Sequence, residues 1–225
     1  MISGKSVVAI VTARGGSKGV PGKNLRHVAG RSLIAWTMEQ VRASKLLDRT
    51  ILSTDDESIA AAAKSAGCEV PFMRPAELAT DEATSLDVLR HAMHQIGNYD
   101  YVVLLQPTSP LRTGADIDGA IELCATSGAP SCVSVCVSSK SPNWMYTLRP
   151  DLRIAPVLPE SRATRRQDLP PVYLLNGAVY VARWEHLNQG RSFVEDGAVA
   201  YQMPPDRSLD IDTEFDLRLA NALMQ

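Results

Sequence analysis

Apolar, β-branched runs alternate with stretches of helical period through the first 137 residues. "VVAIVTA" (7–13) barely alternates between apolar and polar, which predicts a strand buried on both faces. After a glycine-rich loop, "SLIAWTMEQVRAS" puts Leu33, Ile34, Met38 and Val41 at helical spacing behind Ser32, a good N-cap. "RTILST" reads as a strand, and "DDESIAAAAKSAG" as a helix with an acidic first turn and a stop at Gly67. "EVPFM" reads as a short strand, "SLDVLRHAMHQI" as a helix, "DYVVLLQ" as a central strand, "ADIDGAIELCATSG" as a helix and "CVSVCV" as a strand. Regular alternation of this kind predicts an α/β fold of stacked βαβ units, with a mostly parallel twisted sheet flanked by helices.

The pattern breaks at Ser138. From there to Pro171 the chain is polar and proline-rich, with little periodicity until "GAVYVA" resumes a strand. A loop of that length in a compact domain usually has a task or a partner. The expectation is therefore one domain over 1–225, with an excursion at about 138–175. "GAVAYQM" closes the sheet, and "DTEFDLRLANALM" forms a last amphipathic helix with Phe215, Leu219 and Leu223 facing inward.

Charge changes the picture locally rather than globally. Net charge is −2, which creates no field to attract nucleic acid or an anionic membrane. Yet no Asp or Glu precedes Glu39, while Lys5, Arg14, Lys18, Lys23, Arg26 and Arg31 all do. "VVAIV" is too short for a membrane span or a signal core, so a cytoplasmic location is expected. Four cysteines (68, 124, 132, 136) form no CxxC pair, and reduced, buried thiols fit them better than a zinc site.

Three stretches carry chemistry. "TARGGSKGVPGKN" (12–24) holds Arg14, Lys18 and Lys23 among four glycines, a composition suited to cradling a polyphosphate. It contains neither GxGxxG nor a P-loop, because no Ser or Thr follows the lysine; a solvated basic turn is the bland alternative. "SLDIDTEFDL" places Asp210 and Asp212 either side of Ile211. On an extended strand end they would point the same way, about 7 Å apart, and could hold Mg²⁺. Alternatively, Asp212 caps the last helix. "LLQPTSPLRTG" ends a buried strand in Gln106, two prolines and Arg112, either a rigid polar strand end or a plain structural turn.

These stretches, with "STDDESIAAAAKSAG", "RPAELATDEATS" and "RRQDLPPVYLLNGAVYV", occur in the order found in the acylneuraminate cytidylyltransferases, which the chain resembles nearly end to end. The resemblance implies a Rossmann-like nucleotidyltransferase fold. It also implies transfer of CMP from CTP to the anomeric hydroxyl of a nonulosonic (sialic-acid-like) sugar, with loss of pyrophosphate. By resemblance Arg14, Lys18 and Lys23 contact phosphate, with Asn24, Arg74 and Ser85 beside the nucleotide. Gln106, Arg166, Asn176 and Tyr180 line the sugar site, and Asp210 and Asp212 bind Mg²⁺. Arg14, Lys23 and Asp212 are the catalytic candidates, and a homodimer joined through the excursion is implied. The nearest alternative is a CMP-Kdo-type synthetase, in which proline typically follows the loop lysine; here Asn24 follows Lys23. A catalytically silent nucleotide-binding homologue is the other. Leu174 stands where some sialate-specific members carry Arg, which leaves the sugar open.

Overall fold

A computed structural model of the protein describes residues 1–158, 165 and 169–225. Its centre is a six-stranded sheet in the order β10-β6-β9-β5-β1-β4. The strands are β1 (Val7–Thr12), β4 (Arg49–Ser53), β5 (Tyr101–Leu105), β6 (Ser131–Val137), β9 (Tyr173–Arg183) and β10 (Val199–Met203). β1 runs parallel to both β4 and β5, and β6 parallel to β10; β9 lies antiparallel between β5 and β6. The predicted mostly parallel sheet is present, with one reversed strand.

Val7, Ala9 and Val11 point into one core with α1 (Leu33–Ala43), α2 (Glu57–Ser65) and α4 (Gly114–Ser127). Val8 and Ile10 point into a second core with α3 (Ser85–Ile96) and α5 (Trp184–Asn188) on the opposite face. Both faces being covered is why β1 shows no alternation. Because β1 pairs with β4 on one side and β5 on the other, the chain reverses direction across the sheet at the carboxyl end of β1. That reversal opens the crevice in which α/β sheets bind ligands.

Two expected elements differ. "EVPFM" forms no strand: Leu52 N donates to Glu69 O at 2.8 Å, and pairing stops there because Pro71 has no N–H to donate. The last helix, α6 (Glu214–Leu223), turns a different face inward. Leu217 and Ala220 are buried against Val28, Leu33 and Ile211, whereas Phe215, Leu219 and Leu223 are exposed. The helix carries two apolar stripes, and anchors elsewhere choose between them. Thr213 and Asp216 form a capping box, Arg26 grips Glu214 at 2.6 and 3.0 Å, and Asn221 Oδ1 accepts from Ala29 N at 2.9 Å. Ala29 lies in the turn of the small hairpin β2 (His27–Val28) and β3 (Arg31–Ser32).

The excursion leaves and rejoins the sheet at one point, since Ser138 N donates to Val172 O and Val137 pairs with Tyr173. It carries the hairpin β7 (Tyr146–Leu148) and β8 (Ile154–Pro156). Tyr146, Leu148, Leu152, Ile154, Tyr173, Leu174 and Leu175 are all exposed there.

Candidate functional site

A cavity of about 410 Å³ opens at the carboxyl ends of β1 and β5. Eight of the residues singled out in the sequence line it: Arg14, Lys18, Lys23, Asn24, Arg74, Ser85, Gln106 and Asp212. Residues as far apart in sequence as Arg14 and Asp212 thus meet at one sheet edge.

The glycines of the opening loop have distinct reasons. At Gly15 a Cβ would meet Asp56 Oδ2 at 2.8 Å, and at Gly19 it would lie 2.1 Å from the main-chain oxygen of Asp212. Gly19 therefore lets the C-terminal segment cross the loop and deliver Asp212 to the cavity. Gly22, at φ 63°, turns the chain into a 3₁₀ turn at Lys23–Leu25. The buried Asn24 donates from Nδ2 to Arg14 O at 2.9 Å and so closes the loop on its own start. Lys23 Nζ donates to Ile211 O at 2.7 Å and lies 3.1 Å from Asp212 Oδ1.

Across the cavity, Arg74 is buried and donates to the hydroxyl and carbonyl of Ser53. Burial pushes its guanidinium down from the ordinary arginine range, and the neighbouring Arg14 pushes the same way against Asp55. Two guanidiniums thus face one space, which favours an anion between them. Ser85 opens α3, whose N-terminus is capped by Thr84 in a capping box with Asp87.

The sugar-side candidates divide. Gln106 lines the cavity, and its carbonyl accepts from Arg112 Nη1 at 3.1 Å. Asn176 does not line it. This buried side chain accepts from Ser134 Oγ at 2.6 Å and donates to Ser208 Oγ at 2.9 Å, holding a bulge where β6 and β9 shift register. Tyr180 packs its ring 5.5 Å from Phe193, and burial together with the charge of Asp210 raises its hydroxyl above the ordinary tyrosine value. Arg166 lies outside the described residues.

Asp210 and Asp212 sit on an irregular segment rather than a strand end, with Ile211 buried between them. Asp212 does not cap α6; Thr213 does. Asp210 Oδ1 is buried and has no hydrogen-bond partner among the described residues. Burial raises its carboxyl, and Asp212 adds to that, while Thr108 and Lys23 oppose it. A buried, under-partnered carboxylate beside a second one is a donor set that a hard cation could complete. Among the described residues no three His, Cys, Asp or Glu side chains cluster as metal ligands. Water or substrate oxygens would have to supply the rest of the shell, as is usual for magnesium.

Sequence reasoning missed Asp81, and it named Arg112 only as part of a polar strand end. Asp81 reaches Arg14 Nη2 at 2.6 Å and Lys18 Nζ at 2.5 Å; its only sequence signal is its place in "RPAELATDEATS". Arg112 is wholly buried, donating to Gln106 O, to Ala178 O at 2.7 Å and to Thr37 Oγ1 at 3.2 Å. It ties the end of β5 to the bulge of β9. There Gly177, at φ 71°, leaves room beside Asp210 Oδ2 and Gln106 Oε1.

In fold the molecule is a Rossmann-like nucleotidyltransferase. It superposes on a CMP:2-keto-3-deoxy-manno-octonic acid synthetase complexed with CTP with TM-score 0.73 at 19% identity, covering 97% of this chain and 98% of the other. It superposes on the 4-diphosphocytidyl-2C-methyl-D-erythritol synthase of Anaerococcus prevotii with TM-score 0.69 at 15% identity, covering 99% and 100%. Residues 8–151 match the cytidylyltransferase family model. The chain is 35% identical to the CMP-N,N'-diacetyllegionaminic acid synthase of Legionella pneumophila, over 97% of this chain and 96% of that protein. It is 32% identical to the N-acylneuraminate cytidylyltransferase of Escherichia coli O18:K1:H7, over 97% of this chain but 52% of that protein. The chain spans about half the length of several curated relatives it matches. The protein belongs to the cytidylyltransferase family.

Proposed function

We propose that the protein transfers CMP from CTP to the anomeric hydroxyl of a nonulosonic acid and releases pyrophosphate. The observation that carries this reading is the meeting of Arg14, Lys18, Lys23 and Arg74 in one cavity with Gln106 and Asp212. The names of the Legionella and Escherichia relatives support the nonulosonic acid as acceptor.

In this reading the cationic loop and its amides hold the triphosphate, and Asn24 keeps the loop closed. The wall from Arg74 to Ser85 borders the base, and Gln106 orients the sugar from the end of β5. Phosphoryl transfer needs positioning and neutralisation of charge more than covalent help. Lys23, held by Ile211 O and Asp212, supplies a fixed cation where pyrophosphate departs. Asp210 and Asp212 would hold Mg²⁺, which when bound supplies further neutralisation of the phosphates.

The reading extends to a cytoplasmic homodimer. The exposed apolar residues of the β7–β8 hairpin and the start of β9 suit a second copy of the chain. A monomer by light scattering at micromolar concentration would remove that extension.

The decisive experiment measures pyrophosphate release with each of the four nucleoside triphosphates and a panel of nonulosonic acids, with and without Mg²⁺. Release is expected with CTP alone among the triphosphates, and only with Mg²⁺ and a nonulosonic acid present. No release from any pairing would overturn the reading.

A further inference from the structure

Each of the four cations Arg14, Lys18, Lys23 and Arg74 lining the cavity has a counter-charge or acceptor from the protein, but the partners differ in how firmly they are held. Lys23 is braced by a main-chain oxygen and by Asp212 on the crossing C-terminal segment. Arg74 is buried against Ser53. Arg14 and Lys18 instead share one carboxylate, Asp81, at 2.6 and 2.5 Å. Asp81 is 44% exposed, and its own chain segment lies on the opposite wall of the cavity, between a 3₁₀ turn at Ala76–Leu78 and the cap of α3. It reaches across the mouth to the phosphate loop. The hydrogen bonds from Lys18 and then Arg14 hold its carboxyl below the ordinary aspartate value, so it is ionised at neutral pH.

We infer that Asp81 is an affinity- and release-determining residue: an internal counterion that occupies the Arg14–Lys18 anion site and must be displaced by the phosphates of the incoming ligand. A carboxylate and a phosphate oxygen compete for the same two cations and repel one another, so an incoming phosphate takes Arg14 and Lys18 at the expense of Asp81. Asp81 therefore weakens every polyphosphate. The weakening matters most for inorganic pyrophosphate, which has no base or sugar through which to recover affinity. Return of Asp81 to Arg14 and Lys18 then opposes retention of the pyrophosphate product. This rests on the phosphate-binding reading of the loop.

The test is isothermal titration calorimetry of inorganic pyrophosphate and inorganic tripolyphosphate into the full-length protein at fixed ionic strength, without divalent cations. D81N should bind both anions about fivefold to tenfold more tightly, the scale of two partly exposed ion pairs. D81E, which restores the carboxylate, should return towards the wild-type affinity. In an R14A/K18A background D81N should make no difference. Affinity unchanged or lowered in D81N would overturn the inference and make Asp81 a brace for the loop. Binding of neither anion by wild type or D81N would overturn the phosphate-site reading along with it. Turnover is not needed for either result.

Discussion

Replacing Arg112 by Met tests whether the site is held from beneath by one buried cation. The guanidinium is 1% exposed and donates to Gln106 O at 3.1 Å, Ala178 O at 2.7 Å and Thr37 Oγ1 at 3.2 Å. Burial pushes it down to about 10, so it remains charged at neutral pH and its hydrogen bonds are charge-assisted. Thr37 lies within α1 and its hydroxyl can turn back onto its own helix, so its loss costs little. The two carbonyls cannot turn to water. Bonds from a charged donor contribute about 1.5–3 kcal/mol each, and removing the charge returns part of its desolvation cost. Met fills much of the vacated volume, which leaves a net loss of about 3 kcal/mol. At an m-value of roughly 2–3 kcal/mol/M, the urea midpoint followed by circular dichroism should fall by about 1 M. R112K, which keeps a donor, should lie between. A midpoint within about 0.3 M of wild type for R112M would refute the argument that the two carbonyls depend on this side chain.

Gly19→Ala would place a methyl 2.1 Å from the Asp212 main-chain oxygen, whereas Gly16→Ala meets nothing within 4 Å. The first should weaken nucleotide binding about tenfold or more and cost on the order of 1–3 kcal/mol of stability, and the second should change neither; equal effects would mean the crossing is not tight. Burial alone would raise the carboxyl of Asp116, but hydrogen bonds from Arg207 at 2.8 and 3.1 Å and from Thr113 hold it below the ordinary aspartate value. Its stabilisation is present above the unfolded carboxylate value and is lost as pH falls through the depressed one. D116N should therefore flatten the loss of stability below about pH 4 in urea titrations, and an unchanged acid limb would contradict this. Burial pushes Cys68 and Cys132 up to about 12 and Cys124 up to about 11, while Cys136 is half-buried. An aromatic disulfide reagent at pH 8 should titrate one thiol promptly and the other three only on unfolding; two fast thiols would show that a buried face opens.

The order of strands and helices was legible because each element writes its own period into contiguous residues. β1 reads as doubly buried, and the first helix reads from its cap at Ser32, whereas the last helix is capped by Thr213 and not by Asp212. The cation-rich loop was legible for the same reason: glycine, lysine and arginine state locally what the backbone can approach and what it can neutralise. Tertiary structure decided which residues meet. Two apolar stripes on α6 are equivalent in the sequence, and the remote partners Arg26 and Ala29 select Leu217 and Ala220 over Phe215, Leu219 and Leu223. Asn176 has the polarity of a ligand contact, yet Ser134 and Ser208 take its hydrogen-bonding capacity at a bulge that no local pattern announces. Asp81 is one acidic residue among several until folding brings it across the cavity to Arg14 and Lys18. Local sequence determines the period and the available charges. Long-range closure of the sheet determines which charges neutralise one another, because Coulombic and hydrogen-bond energies depend on distances that only the folded chain defines.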